Sequence, residues 1–215
     1  MSKPAPSVAR RKQWAADSSA PAPLVAAYEV RPLCTDAERE EAAALVQDRQ
    51  RWLALRGLPV PARADIPALF RDSQTEPAGL FEDGKLLACF IPQWEVLRWG
   101  EGPCLHLSCV HTLPDQPDDV TRLITLWASD FAARQGLPFV RAEALAVHPL
   151  DADPIAALLR RLTDMGWGVQ GSGTGREGDR VARLELAAER RSGLSVLIGC
   201  CLHAPETAPD DRRNA

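Results

Sequence analysis

The sequence predicts a single α/β domain with a mixed central sheet flanked by helices, and three observations carry that expectation. From Cys104 to Ala146 an apolar strand, a short acidic loop, an amphipathic helix and a second apolar strand follow one another. A helical crossover of this kind makes its two strands parallel candidates. Asp83-Gly84 separates two apolar runs, and both residues suit a two-residue hairpin turn that needs positive φ, so an antiparallel pair is expected there. Finally, 215 residues with 46% hydrophobic and 25% charged side chains suffice for one sizeable core plus tails, whereas two domains would be cramped.

Charge and cysteine usage narrow the function classes. A net charge of −4 and a pI near 5.6 argue against a broad electrostatic grip on nucleic acid or on an anionic membrane. Six cysteines at 34, 89, 104, 109, 200 and 201 show no disulfide-framework spacing, and most lie in apolar runs as small core residues do. A reduced, cytoplasmic setting is therefore expected. The stretch from Ala15 to Ala27 is interrupted by Asp17, Ser18, Ser19, Pro21 and Pro23, so it lacks a signal-peptide core, and no apolar run reaches the roughly 18 residues of a membrane span.

Taken in order, residues 1–25 are rich in Pro, Ala and Ser around a basic knot at Arg10, Arg11 and Lys12; they read as a disordered tail. Residues 26–190 read as the domain and 191–215 as a partly disordered extension. Tyr28 to Leu33 is a short strand. Thr35 with Glu38 three positions on forms a capping box, opening a helix of about five turns that carries Ala42, Leu45, Val46, Trp52 and Leu53 and stops at Gly57. A short helix from Asp65 through Phe70 follows, then the strands Gly79 to Glu82 and Lys85 to Phe90, and a loop over 94–103. In the central unit Leu105, Leu107, Cys109 and Val110 build the first strand and Phe139 to Ala146 the second. The helix between them, Val120 to Arg134, places Val120, Leu123, Ile124, Trp127, Ala128, Phe131 and Ala132 in one apolar stripe. Asp153 and Pro154 cap a further helix through Ile155, Leu158, Leu159 and Leu162, stopped by Gly166. Trp167 to Gln170 begins a strand. Gly171-Ser-Gly-Thr-Gly175 is expected to be a hairpin turn, because a phosphate-binding glycine loop must open a helix and here Arg180 to Leu186 alternates as a strand. Leu194 to Cys201 is a modest apolar run before a polar tail.

Ligands in open α/β sheets gather where strands end and helices begin, which directs attention to the loop from His111 to Asp119. Cys104, His106, Cys109 and His111 have zinc-ligand chemistry. On a regular strand, however, 104 and 106 face one way and 109 and 111 the other; a bulge would restore a common face. No metal is expected. Cys109 is a nucleophile only with a base in reach. Trp94 and Trp99 flank a loop and either line a pocket or fill space.

Four pieces of the chain resemble the GNAT acyltransferase superfamily: the strand Tyr28-Glu-Val-Arg-Pro-Leu33 with a long helix after it, the Gly-Leu-Phe-Glu-Asp-Gly-Lys-Leu-Leu hairpin of 79–87, the run Leu107-Ser-Cys-Val110 leading to Arg122-Leu-Ile124, and Leu158 to Trp167 ending in Gly-Trp where the family has Gly-Phe. The resemblance spans about 28–188. It implies a GNAT-like mixed sheet and acyl-CoA-dependent transfer, with acetyl-CoA as donor, to a small-molecule or peptide amine. No membrane or nucleic-acid partner is implied, and a homodimer is compatible with it. In such a protein the backbone of Leu107, Ser108, Cys109 and Val110 would pair with the pantetheine arm, and the following loop, with Gln116, Asp118 and Asp119, would face the diphosphate. The candidate bases are His106 and Glu143 on the two central strands, with His111 at the loop entrance; each is also readable as a structural residue.

Two departures from the family pattern stand out. The loop pattern of Gln or Arg, two residues, Gly, one residue, then Gly or Ala falls on Asp115, Gln116, Pro117, Asp118, Asp119 and Val120, which lack both glycines and the basic residue. Glycine lets the backbone approach phosphate, and Pro117 has no N–H to offer. Each carboxylate about 5 Å from a phosphate charge would cost roughly 3 kcal/mol at an effective dielectric of 20, before screening. One of Asp118 and Asp119 reads equally as a helix cap. The tyrosine that many members place four residues before Gly-Phe is Leu162 here, and Tyr28 is the chain's one tyrosine. The competing reading is a catalytically inactive GNAT-fold binding or regulatory domain.

Overall fold

The computed structural model describes residues 26–61, 65–97, 99–114, 117–146, 149–151, 155–176 and 178–203. The expected N-terminal tail, the caps Asp153 and Pro154, and the loop residues Asp115 and Gln116 lie outside the described residues. The elements run β1 (Tyr28–Pro32), α1 (Asp36–Leu55), α2 (Ile66–Arg71), β2 (Ala78–Glu82), β3 (Lys85–Glu95), β4 (Cys104–Thr112), α3 (Pro117–Arg134), β5 (Phe139–Leu145), α4 (Ile155–Asp164), β6 (Gly168–Thr174), β7 (Arg180–Ala187), α5 (Leu194–Leu197) and β8 (Ile198–Cys200). They form one eight-stranded sheet in the order β6-β7-β5-β4-β3-β2-β1-β8. Within it β4–β5 and β1–β8 are parallel and the other pairs antiparallel. The mixed single-domain α/β architecture is the one expected from the βαβ unit and the Asp-Gly hairpin.

Local chemistry explains the element boundaries. Thr35 accepts from the Glu38 amide while the Glu38 carboxylate accepts from the Thr35 amide, the reciprocal capping box. The Glu38 carboxylate also pairs with Arg31, which ties the start of α1 to β1. Gly166 stops α4 at φ 102°, and Trp167 then turns inward, its indole N–H donating to Thr125 Oγ1 on α3 at 3.0 Å. The helix stripe read from α3 is buried as expected: Trp127 stacks on Phe131 with ring centroids 5.2 Å apart and meets Phe90 at 5.1 Å. These rings, with Leu105, Leu107, Val140 and Leu184, form the core under α3 and α4. A second core, with Leu45, Val46, Phe70, Cys89 and Ile91, fills the opposite face beneath α1 and α2.

Three boundaries differ from expectation. β3 continues past Phe90 to Glu95, through Pro92. A proline is tolerated there because β2 ends opposite Phe90, so one side of β3 carries no ladder beyond that point. Gly171 to Thr174 lies within β6, and the turn comes later, between 175 and 179. Gly171 has φ 116° at a register shift, and Gly173 lies under the Arg183 side chain, so these glycines serve a bulge and a close approach instead of a turn. The apolar run near the C-terminus folds as α5 and β8, and β8 adds a parallel edge strand beside β1.

Candidate functional site

The centre of the sheet is where two parallel strands part. β4 and β5 pair from Cys104↔Phe139 to Leu107↔Ala142 and no further. β4 nevertheless continues to Thr112, held by β3, and β5 continues to Leu145, held by β7. A gap therefore opens between Ser108–Thr112 and Glu143–Leu145. On β4 a bulge marks its start: β3 advances from Cys89 to Ile91 while β4 advances three residues, from His111 to Ser108, and Cys109 takes φ 51°. The extra residue re-aims the strand. Ser108 stands opposite Ile91 and His111 opposite Cys89, both residues of the core beneath α1 and α2. Cys104, His106, Cys109 and His111 thus share a face, but they are strung along it. Among the described residues no group of three or more His, Cys, Asp or Glu could hold a metal ion.

His106 and Glu143 come to the same face beside the gap. His106 stands opposite Arg141 on β5, and Glu143 lies one step further on that strand's same face. His106 is 6% exposed, and its Nδ1 has no hydrogen-bond partner among the described residues. Burial lowers its pKa, with Glu95 opposing and Arg176 reinforcing the shift, so the imidazole is neutral at neutral pH. Arg176, on the β6–β7 turn, donates to both Glu95 oxygens at 2.8 and 2.9 Å. Glu143 Oε1 accepts from the indole N–H of Trp99, on the β3–β4 loop, at 2.9 Å. The loop after β3 and the turn after β6 therefore both reach over the two central strands. Of the two tryptophans flanking the loop, Trp99 faces this site, whereas Trp94 packs edge-on against Phe131 in the core.

The far end of the gap is charged differently. His111 packs toward α1, where burial and the Arg49 guanidinium push its pKa down to about 4. Arg49 lies over the Trp52 ring, and its Nη1 is buried without a partner among the described residues. Asp118 and Asp119 sit in the exposed first turn of α3. Asp118 pairs with Arg161 of α4 at 3.0 Å. On β4, Leu107 still pairs with Ala142 of β5, whereas Ser108, Cys109 and Val110 follow where that pairing has ended, with the Ser108 hydroxyl donating to Ile91 O at 3.2 Å; Gln116 lies outside the described residues.

No protein-family model and no curated protein sequence matches the chain. Comparison of structures does find relatives. A GNAT-family acetyltransferase from Listeria monocytogenes superposes with a TM-score of 0.52 at 15% identity, covering 74% of this chain and 95% of that one. This chain has the GNAT fold. A second GNAT-family structure, from Desulfovibrio desulfuricans, gives a TM-score of 0.50 at 18% identity over 76% of this chain and 100% of its own. A spermidine N-acetyltransferase chimaera containing Vibrio cholerae sequence gives 0.50 at 11% identity, over 76% and 96%.

Sequence reasoning missed the partners of the expected residues. Arg183, directly opposite Glu143 on β7, and Arg161, paired with Asp118, are arginines in otherwise ordinary amphipathic segments. A signal for Arg183 did exist: the glycines of β6 mark a strand over which a large side chain lies flat.

Proposed function

We propose that the chain is an acyl-CoA-dependent N-acyltransferase, with acetyl-CoA as donor and a small-molecule or peptide amine as acceptor, carried by residues 26–190 in a cytoplasmic setting. The observation that supports this reading most directly is the gap between β4 and β5 with a neutral buried histidine and a carboxylate on its rim. Bound acetyl-CoA would supply an electrophilic thioester carbonyl. The freed β4 edge from Ser108 to Val110 fits the amide-rich pantetheine arm by adding backbone hydrogen bonds to an unpaired strand. At the diphosphate end Arg161 offsets the Asp118 charge, and Arg49 has an unpaired buried N–H, so cations stand where the glycine loop is lacking. Glu143 and His106 would take the proton of the acceptor amine, and the strand register fixes both relative to the gap.

A second reading, a GNAT-fold binding domain without catalysis, is favoured by one observation: Arg161 and Asp118 link α4 to α3 at the edge of the gap. Calorimetric titration with acetyl-CoA separates the two, using the unmodified chain beside Asp118→Gly and Asp119→Gly. Micromolar binding is the expected result. If no binding is detectable and neither variant restores it, the acyltransferase reading is lost and the binding-domain reading stands.

A further inference from the structure

Beside Glu143, on the sheet face that α1 and α2 leave open, lies a recess of about 440 Å³, within the size range of small-molecule sites. Trp99 and Phe139 supply apolar wall, Gln170 a neutral polar group, and Glu101, Arg141, Arg183 and Glu185 the charges. Two of those charges are already satisfied. Arg141, 1% exposed, donates to Glu185 and to the carbonyls of Glu101 and Gly102. Arg183 is different. Its side chain makes no ion pair or hydrogen bond among the described residues, its Nε is buried without a partner, and its contact within the recess is the Trp99 ring at 5.6 Å. A guanidinium held flat and partly desolvated, with its N–H donors unpaired, is matched by a carboxylate, which can take two of them at once.

The spacing to Glu143 narrows the ligand. A Cβ added at Gly173 would fall 2.4 Å from the Arg183 guanidinium carbon, and one added at Gly175 would fall 3.1 Å from Glu143 Oε2. Arg183 is the register partner of Glu143 on the neighbouring strand, and among the described residues no ion pair joins them, so the cation and the free carboxylate oxygen stand side by side without meeting. In an α-amino acid the nitrogen and the carboxyl carbon are about 2.5 Å apart. A ligand that carries an anionic and a cationic group this few bonds apart can engage both side chains at once. Glu143 Oε1 is engaged by Trp99, which leaves Oε2 for an amine.

We propose that this recess is the acceptor site and that the acceptor is an α-amino acid, its carboxylate on Arg183 and its amine at Glu143. The inference rests on the acyltransferase reading for the word acceptor, but binding can be tested without the donor. Each of the twenty standard amino acids is titrated against the full chain by calorimetry, with the chain's tryptophan fluorescence as a second signal, and each one that binds is compared with its C-terminal amide. The acid is expected to bind at least tenfold more tightly than the amide. Arg183→Met should reduce that ratio to under threefold. Gly173→Ala, which keeps the charge but drives a Cβ into the guanidinium, should do the same and carries the test if Arg183→Met does not fold. Binding by none of the twenty, equal binding of acid and amide, or a ratio that survives both substitutions would overturn the proposal. Amino-acid binding in a chain that does not bind acetyl-CoA would leave the site standing and remove the acyltransferase reading; the reverse result would do the opposite.

Discussion

The two ends of the gap between β4 and β5 are built on different principles. At the His106 and Glu143 end, geometry follows from the core: Leu105, Leu107 and Val140 are buried on one face, so the alternating residues His106, Arg141 and Glu143 are committed to the other. At the α3 end the first turn is exposed and acidic. There Asp118 and Asp119 favour the helix, each by about 0.3–1 kcal/mol through the positive end of its macrodipole. On the acyltransferase reading, the same carboxylates face the anionic diphosphate. The geometry of the His106–Glu143 end is thus inherited from the fold, whereas at the α3 end helix stability would compete with the anion affinity that the proposed function requires.

The largest effect should come from breaking the first end. Glu143→Gln keeps an oxygen for the Trp99 N–H but removes the charge, so acyl transfer, followed by thiol release, is expected to fall by about 10²-fold or more in kcat/KM with the fold unchanged. A fall under threefold would leave His106 as the sole base.

His111 tests how firmly α1 closes the other end. Its pKa in the folded chain, about 4, lies below the ordinary 6.5. Between those values the unfolded chain takes up a proton that the folded chain does not, so stability falls as pH falls through that window. The separation corresponds to at most on the order of 3 kcal/mol. In His111→Gln the urea midpoint should therefore depend less on pH between 6.5 and 4 than in the unmodified chain. His106 is shifted in the same direction, so the double variant should be flatter still. Equal slopes in all three would show that neither ring is sheltered.

Trp99→Phe is a gentler change: the wall of the recess remains, but the Glu143 hydrogen bond is lost. About a tenfold loss is expected, and it should appear in kcat at saturating acceptor, since the bond orients the carboxylate. A change confined to KM would place Trp99 in acceptor binding alone.

This contrast between the ends also explains what could be read from the sequence. The order of the first eleven elements was legible because each rests on local signals: the Thr35–Glu38 box, Asp83-Gly84, the α3 stripe, and Gly166 before Trp167. The placement of His106 and Glu143 on the two central strands was legible because alternation within buried strands is local too. The bulge at Cys109 was not legible, since Ser108-Cys-Val110 contains no glycine to mark a positive φ. The glycines of β6 hinted at a large side chain lying over that strand, but that it is Arg183 opposite Glu143 was hidden, because this depends on the β5–β7 register. β8 escaped notice because three residues pair in parallel with a strand at the other end of the chain.

The smallest effect should distinguish stability from anion affinity at the α3 end. The side chains of Asp118 and Arg161 are 59% and 50% exposed, so the pair contributes no more than about 1 kcal/mol to folding. Asp118→Asn and Arg161→Met should each shift the unfolding midpoint slightly, and in the same direction. Their effects on acetyl-CoA affinity should have opposite signs. Asp118→Asn removes a repelling charge and frees Arg161, which raises affinity a few-fold; Arg161→Met leaves Asp118 uncompensated and lowers it. Both differences should shrink in 0.5 M salt, because groups this exposed are screened. If instead both substitutions raise affinity, the link between α3 and α4 acts as a mechanical barrier across the gap, and its charge is incidental.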